Sequence, residues 1–454
     1  MAEADLVLTS SRVVTPDGVR PAAIVVADGV IVSLETASGL PRAARVVDAS
    51  DAAILPGVID PHVHVNEPGR TEWEGFSTAT RAAAAGGVTT IIDMPLNSVP
   101  VTTTPAALEA KAARAAASAL VDYGFWGGVV PGNLDALGPL HAAGALGFKC
   151  FLVPSGMDEF PSIDASALGA AMARLAGLNA VLLVHAELPG PIERGMRSAN
   201  GADARRYATY LATRPAAAEG EAIALVLRVA AETGCAVHIV HLSSADGVEP
   251  IAAARASGVA VSVETCPHYL TFSAEEIADG ATTYKCAPPV RDRANRERLW
   301  AALARGRIDL VASDHSPCPP ALKGLDAGNF LAAWGGIASL ELSLSATWTG
   351  ARARGQGLAD LARWLAAGPA RLAGLERRKG RIAPGQDADV VVFEPDTEFV
   401  VDPARLHQRH PLTPYAGMTL YGRVRQTFLR GRSVFDRGAF PATPTGRRVS
   451  REAP

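Results

Sequence analysis

His62 and His64 stand two residues apart just beyond an apolar, β-branched stretch, residues 54–60, that stops at Pro61. In extended backbone residues i and i+2 face the same side, so both imidazoles can reach one point. Neutral imidazole is a common ligand of zinc and similar divalent ions. An isolated His-x-His pair often has no metal, so its meaning depends on what else the chain brings to it. Lys149 lies late in the apolar run 146–152, while His185, His241 and Asp314 close the runs 180–185, 236–241 and 308–314. Four imidazoles, one carboxylate and one lysine suit a pair of divalent ions about 3.5–4 Å apart, able to activate water and polarise a carbonyl. The lysine is the anomaly, because an ammonium among cations is repelled.

These residues need a scaffold that gathers strand ends. Eight apolar runs (54–60, 88–94, 121–129, 146–152, 180–185, 236–241, 259–264 and 308–314) alternate with Ala-rich segments of helical spacing at 74–85, 105–119, 134–143, 165–175, 215–233, 247–256, 293–304 and 358–372. That alternation predicts an α/β fold, a (β/α)8 TIM-like barrel, in which chemistry gathers at the C-terminal ends of the strands. Residues 1–53 read as strands and Asp-Gly turns, and the same language returns after residue 374. The expected organisation is therefore a barrel at 54–374 and a small β-rich domain made by both chain ends, 1–53 and 375–454, with residues 443–454 as a mobile tail.

Composition narrows the functional classes. The 454 residues carry a net charge of −3 and are 20% charged and 48% hydrophobic. Nothing there favours nucleic acid or an anionic membrane, and the expected partner is a small molecule. The N-terminal residues lack the basic start and apolar run of a signal peptide, and no stretch of about eighteen residues stays apolar. A cytoplasmic protein is expected. Five scattered cysteines with no C-x-x-C pair argue against a disulfide framework and for reduced thiols.

The run ILPGVIDPHVHVNEPGRTEWEGF, with GFKCFL, VHAE, HIVHLSS, ETCPHYL, KCAPPVRD and SDHSPCPP, resembles the cyclic amidohydrolases, the group of dihydroorotases, hydantoinases, dihydropyrimidinases and allantoinases. The resemblance implies two divalent metal ions, zinc first with manganese, cobalt or iron as alternatives. It assigns His62, His64 and Asp314 to one ion, His185 and His241 to the other, and Lys149, carboxylated by CO2, to a bridge between them. It further implies a bridging hydroxide as nucleophile, Asp314 as general base and acid, and a homotetramer or homodimer. Within the group, NEPGRTEWEGF, residues 333–341 and SDHSPCPP resemble the allantoinases, which open the ring of allantoin to give allantoate.

One physical clue bears on the choice of ring. Dihydroorotases typically carry an arginine two residues after the second histidine, where a guanidinium grips the substrate carboxylate; this chain has Asn66. Loss of that anchor argues for a neutral ring. Asn66, Asn97 and Ser316 are the candidate substrate contacts, with a turn role the alternative for Asn97. Hydantoinases and dihydropyrimidinases usually place a tyrosine shortly after the lysine, where this chain runs KCFLVPSG. His268 and His315 either orient ligands or pack, the cysteines are expected to pack, and Arg70 and Trp73 are expected to hold their loop. The alternatives are a related ring hydrolase and a non-catalytic scaffold on the same fold.

Overall fold

The apolar run at residues 54–60, expected as one barrel strand, is divided between two sheets in the computed structural model, which describes residues 4–36 and 41–451. Ala53–Pro56 (β5) belongs to an eight-stranded sheet, Val58–Val63 (β6) to the barrel, and Gly57 is the crossing point. A Cβ at Gly57 would lie 2.2 Å from Thr89 Oγ1, so only glycine lets the chain pass. Hydropathy could not reveal the break, because both segments are buried and read as one apolar run.

The eight-stranded sheet takes β1 (Ala4–Thr15), β2 (Gly18–Ala27), β3 (Val30–Glu35), β4 (Ala43–Asp48) and β5 from the N-terminal part. It adds β15 (Val390–Val400), β16 (Thr419–Leu429) and β17 (Arg432–Asp436) from the C-terminal part. Its order is β17-β16-β15-β5-β1-β2-β3, with β4 on β1. The β2–β3 hairpin turns on Asp28 and Gly29, whose φ values of 52° and 78° are those a type I′ turn requires. Leu8, Ile24, Ile54, Val390 and Phe428 form this sheet's own core.

The barrel strands are β6, β7 (Val88–Asp93), β8 (Asp122–Phe125), β9 (Gly127–Gly128), β10 (Phe148–Phe151), β11 (Leu182–His185), β12 (Val237–Ile239), β13 (Val261–Thr265) and β14 (Leu310–Val311), all parallel. β8 and β9 are one stretch interrupted at Trp126, so eight staves result. The barrel closes where His64 N donates to His315 O at 2.9 Å. Seven of the eight expected helical segments form within a residue or two of their expected ends. The last, 358–372, contains a π-helical turn, Arg363–Ala367, between Leu358–Ala362 and Gly368–Ala373. Helices Pro189–Ser198, Tyr207–Thr213 and Ser343–Arg352 were not anticipated.

The expected mobile tail is corrected over residues 443–451; residues 452–454 lie outside those described. Tyr123 N donates to Arg447 O (3.0 Å) and Val449 N to Tyr123 O (2.8 Å), and Arg447 N donates to Asp122 Oδ1 (2.8 Å). Backbone pairing to β8 holds a segment whose polar composition concealed it. Among the described residues no helix is long and apolar enough to cross a membrane.

Candidate active site

Six side chains meet at the C-terminal mouth of the barrel. His62 is the last residue but one of β6 and His64 follows the strand; Lys149 lies in β10, His185 ends β11, His241 follows β12 and Asp314 follows β14. His62 Nε2 and His64 Nε2 lie 3.2 and 3.4 Å from Asp314 Oδ1. The ring centroids of His62 and His241 are 5.4 Å apart and those of His185 and His241 4.6 Å. His241, Asp314 and Asn97 hold φ values of 39°, 47° and 73°, a left-handed backbone uncommon outside glycine. Such strain persists where surrounding contacts over-determine it.

Carboxylates and an amide fix which nitrogen each ring offers. Glu264, fully buried on β13, accepts from His62 Nδ1, leaving the Nε2 lone pair toward Asp314. Asn97 Oδ1 accepts from His64 Nδ1 at 3.0 Å, with the same result. Glu187 Oε2 accepts from His185 Nε2 at 2.7 Å and is itself paired with Arg214, which frees His185 Nδ1. Sequence reasoning missed Glu264, Glu187 and His238. Their signal lay in motifs already singled out, ETCPHYL, VHAE and HIVHLSS, but a carboxylate's distance from an imidazole is not a sequence property.

The electrostatics suit cation ligation. Burial lowers His64 to about 4 and depresses His185 and His241, so these rings are neutral near pH 7. Burial likewise brings Lys149 down to about 8, against the pull of Glu264 and Asp314. Burial alone would raise Asp314, yet His62, His64 and His241 outweigh it and hold the carboxyl well below its usual range. Lys149 Nζ and His241 Nδ1 are buried with no hydrogen-bond partner, a costly state that a bound cation, with an acidic adduct on the lysine, would relieve. His62, His64 and Asp314 offer donor atoms mutually within 4.8 Å. The donor set therefore fits divalent metal.

The remaining expectations sort by geometry. Asn66 lines the cavity, 1% exposed, and neither amide atom has a partner. Asn97 lines it as well, though its side chain is engaged by His64. Ser316 Oγ donates to Asp314 Oδ1 at 3.0 Å. His315 is bound away from the centre: its Nδ1 accepts from Ser339 N (3.2 Å), and its Nε2 lies 3.3 Å from Glu74 Oε2. His268 is buried beside Asp314 and Cys266, with neither ring nitrogen hydrogen-bonded to the protein. Burial pushes the Cys266 thiol well up, so without a metal beside it the group is a neutral thiol. Arg70 bonds Asn97 O and Glu159, and Trp73 stacks edge-on against Trp334 at 5.0 Å, so both hold loops at the mouth.

Above the six side chains opens a cavity of about 510 Å³, within the range of small-molecule sites. Its wall combines Asn66, Asn97, Ser316 and Arg214 with apolar Phe151, Ile192, Leu331 and Trp334.

Comparison with known proteins agrees with this geometry. The model of the amidohydrolase family matches residues 53–434. An allantoinase of Streptomyces avermitilis is 52% identical, with all of both chains covered. The allantoinase of Arabidopsis thaliana is 45% identical over 97% of this chain and 90% of its own, and that of Saccharomyces cerevisiae 42% identical over 97% of each. Among solved structures, the L-hydantoinase (dihydropyrimidinase) of Arthrobacter aurescens superposes with a TM-score of 0.94 at 32% identity, covering 99% of this chain and all of that one. A dihydropyrimidinase of Brevibacillus agri gives 0.88 at 30%, with 98% of each chain covered. With a family match across most of its length and full-length relatives well above 30% identity, the chain belongs to the amidohydrolase family.

Proposed function

We propose that this protein hydrolyses the cyclic amide of allantoin to give allantoate. The observation that carries the choice of ring is Asn66. At the position where a carboxylated ring calls for a guanidinium, a neutral amide faces the cavity with its donor and acceptor both unengaged. The full-length likeness to allantoinases of three organisms supports the same choice. The hydantoinase alternative draws on the structural neighbours, but KCFLVPSG puts Phe151, Pro154 and Ser155 at the cavity where a tyrosine is expected.

His62, His64 and Asp314 are proposed to hold one divalent ion, His185 and His241 the second, with Lys149 between them. Bound there, two such ions would supply Lewis-acid polarisation of water and of the ring carbonyl, and zinc suits the imidazole-rich donors. Lys149 enters as a carbamate. Its buried amine, brought down to about 8, attacks the carbon of CO2 and loses a proton, exchanging a misplaced positive charge for an anionic oxygen donor. Asp314 takes the proton of the attacking water and returns it to the ring nitrogen as the C–N bond breaks. Ser316, bonded to Asp314 Oδ1, holds that carboxylate in one orientation. Asn66 and Asn97 meet the polar edge of the substrate, and the apolar wall excludes bulk water.

The reading includes a cytoplasmic location, supported by five buried, unpaired cysteines. It also includes a homotetramer or homodimer, which rests on the likeness to the hydantoinase-type structures alone. The test of function is a parallel assay of metal-loaded protein, supplied with bicarbonate, on allantoin, dihydroorotate, dihydrouracil and hydantoin. Preferential turnover of allantoin is expected, and preference for another ring would overturn the assignment.

A further inference from the structure

Glu264 touches three residues that serve different parts of the centre. Its Oε1 accepts from His62 Nδ1 and from the backbone N–H of His241 (3.2 Å). Its Oε2 meets His238 Nε2 at 3.0 Å. His62 belongs to the half of the ligand set that includes His64 and Asp314, and His241 to the half shared with His185. No other carboxylate among the described residues bonds to both halves: Glu187 reaches His185 alone of the six.

The hydrogen-bond logic runs in one direction. A carboxylate only accepts, so both rings facing it carry their proton on the nitrogen that touches it. His62 is thereby left with Nε2 as donor atom, and His238 with an Nδ1 lone pair, which accepts from Ser262 Oγ at 2.7 Å. Ser262, two residues before Glu264 on β13, thus fixes His238, His238 steadies Glu264, and Glu264 fixes His62. The second bond of Oε1 acts on backbone. His241 holds φ at +39°, and an N–H anchored to a buried carboxylate is one of the contacts that can keep such strain in place. His238 and Glu264 are both fully buried, so water cannot substitute for a lost partner.

We infer that Glu264, buttressed by His238 and Ser262, is a positioning residue that couples the two halves of the metal-binding set, holding the ring of one ligand and the backbone of another at once. The inference rests on the proposed two-ion reading and is independent of which ring is hydrolysed.

The test is a zinc titration of metal-stripped protein in competition with a chromophoric chelator, run on wild type, Glu264→Gln, Glu187→Gln and His238→Leu. Wild type is expected to bind two ions. Glu264→Gln should weaken both binding steps by about 10–100-fold, the size typical of residues that orient ligands, and should shift the ligand-field bands of the cobalt-loaded protein. Glu187→Gln should weaken one step and spare the other. His238→Leu should repeat the Glu264 pattern more mildly, and it carries the test should Glu264→Gln fail to fold. Two ions in wild type with only one step weakened by Glu264→Gln, or neither, would overturn the coupling alone. A single ion in wild type would overturn the two-ion reading and the coupling with it.

Discussion

Replacing Lys379 with methionine removes one of the contacts that fasten the eight-stranded sheet to the barrel. Lys379 Nζ lies 2.8 Å from Asp122 at the start of β8, 3.3 Å from Asp387 and 2.5 Å from Asp389, and all four side chains are buried. Each contact is worth about 6 kcal/mol of Coulomb attraction at an effective dielectric constant of about 20, but desolvation offsets most of that. The number of carboxylates left without a cation sets the net cost. Asp122 keeps Arg430 and Asp387 keeps Arg378 at 2.8 Å. Asp389 keeps only the backbone N–H of Arg430. The expected loss is therefore that of one uncompensated buried charge, about 3–5 kcal/mol, rather than three times that. With an unfolding entropy of about 2.1 cal/mol/K per residue over 454 residues, it should appear as a fall of about 3–5 °C in melting temperature.

The pH dependence of that loss has a definite sign. Burial opposes the charge on Lys379, but Asp389, Asp122 and Asp387 prevail and raise its folded pKa. Its stabilisation is thus complete below the unfolded value of about 10.4 and fades only at higher pH. Asp389 is raised by burial against the pull of Lys379, and without the ammonium it should rise further. Folded Lys379→Met then takes up a proton more readily than its unfolded chain, so its deficit should shrink as pH falls from 9 toward 5. The measurement is melting temperature by circular dichroism across that range, with Lys379→Arg as the charge-preserving control. A fall below about 2 °C, or a deficit independent of pH, would refute the reasoning. None of these groups lines the catalytic cavity, so turnover well below the melting range should stay near wild type.

Two further outcomes follow from the site. Asn97→Ala removes the acceptor for His64 Nδ1 and should weaken metal retention about 10–100-fold; unchanged affinity in a chelator competition would show that the amide does not orient His64. In metal-free protein the buried rings of His64, His185 and His241 should cost stability as pH falls from about 6.5 toward the folded value of about 4 at His64, because the unfolded chain takes up protons that these rings resist. Asp60 and Asp93, raised by burial to about 6, act with the opposite sign over the same range, so the check is imidazole titration of the stripped protein by NMR, and a His64 ring that protonates near the free value would contradict the neutral-ring assignment.

What the sequence revealed and what it hid divide along one physical line. Lys149, His185, His241 and Asp314 could be found because a barrel makes strand ends converge, so their positions along the chain already carry spatial information. Glu264 and Glu187 could not, although Glu187 is only two residues from His185, because a buried carboxylate and a solvated one look alike in sequence. The split at Gly57 and the docking of residues 443–451 were hidden for a related reason. Each depends on which backbone lies alongside, and neither Thr89 near Gly57 nor Tyr123 beside Arg447 is close in sequence. Hydropathy reports how much of a segment is buried, not against what. The gathering of ligands at the mouth is thus legible from order and period, while the tautomer each histidine presents is set by partners such as Glu264 that only the folded chain brings near.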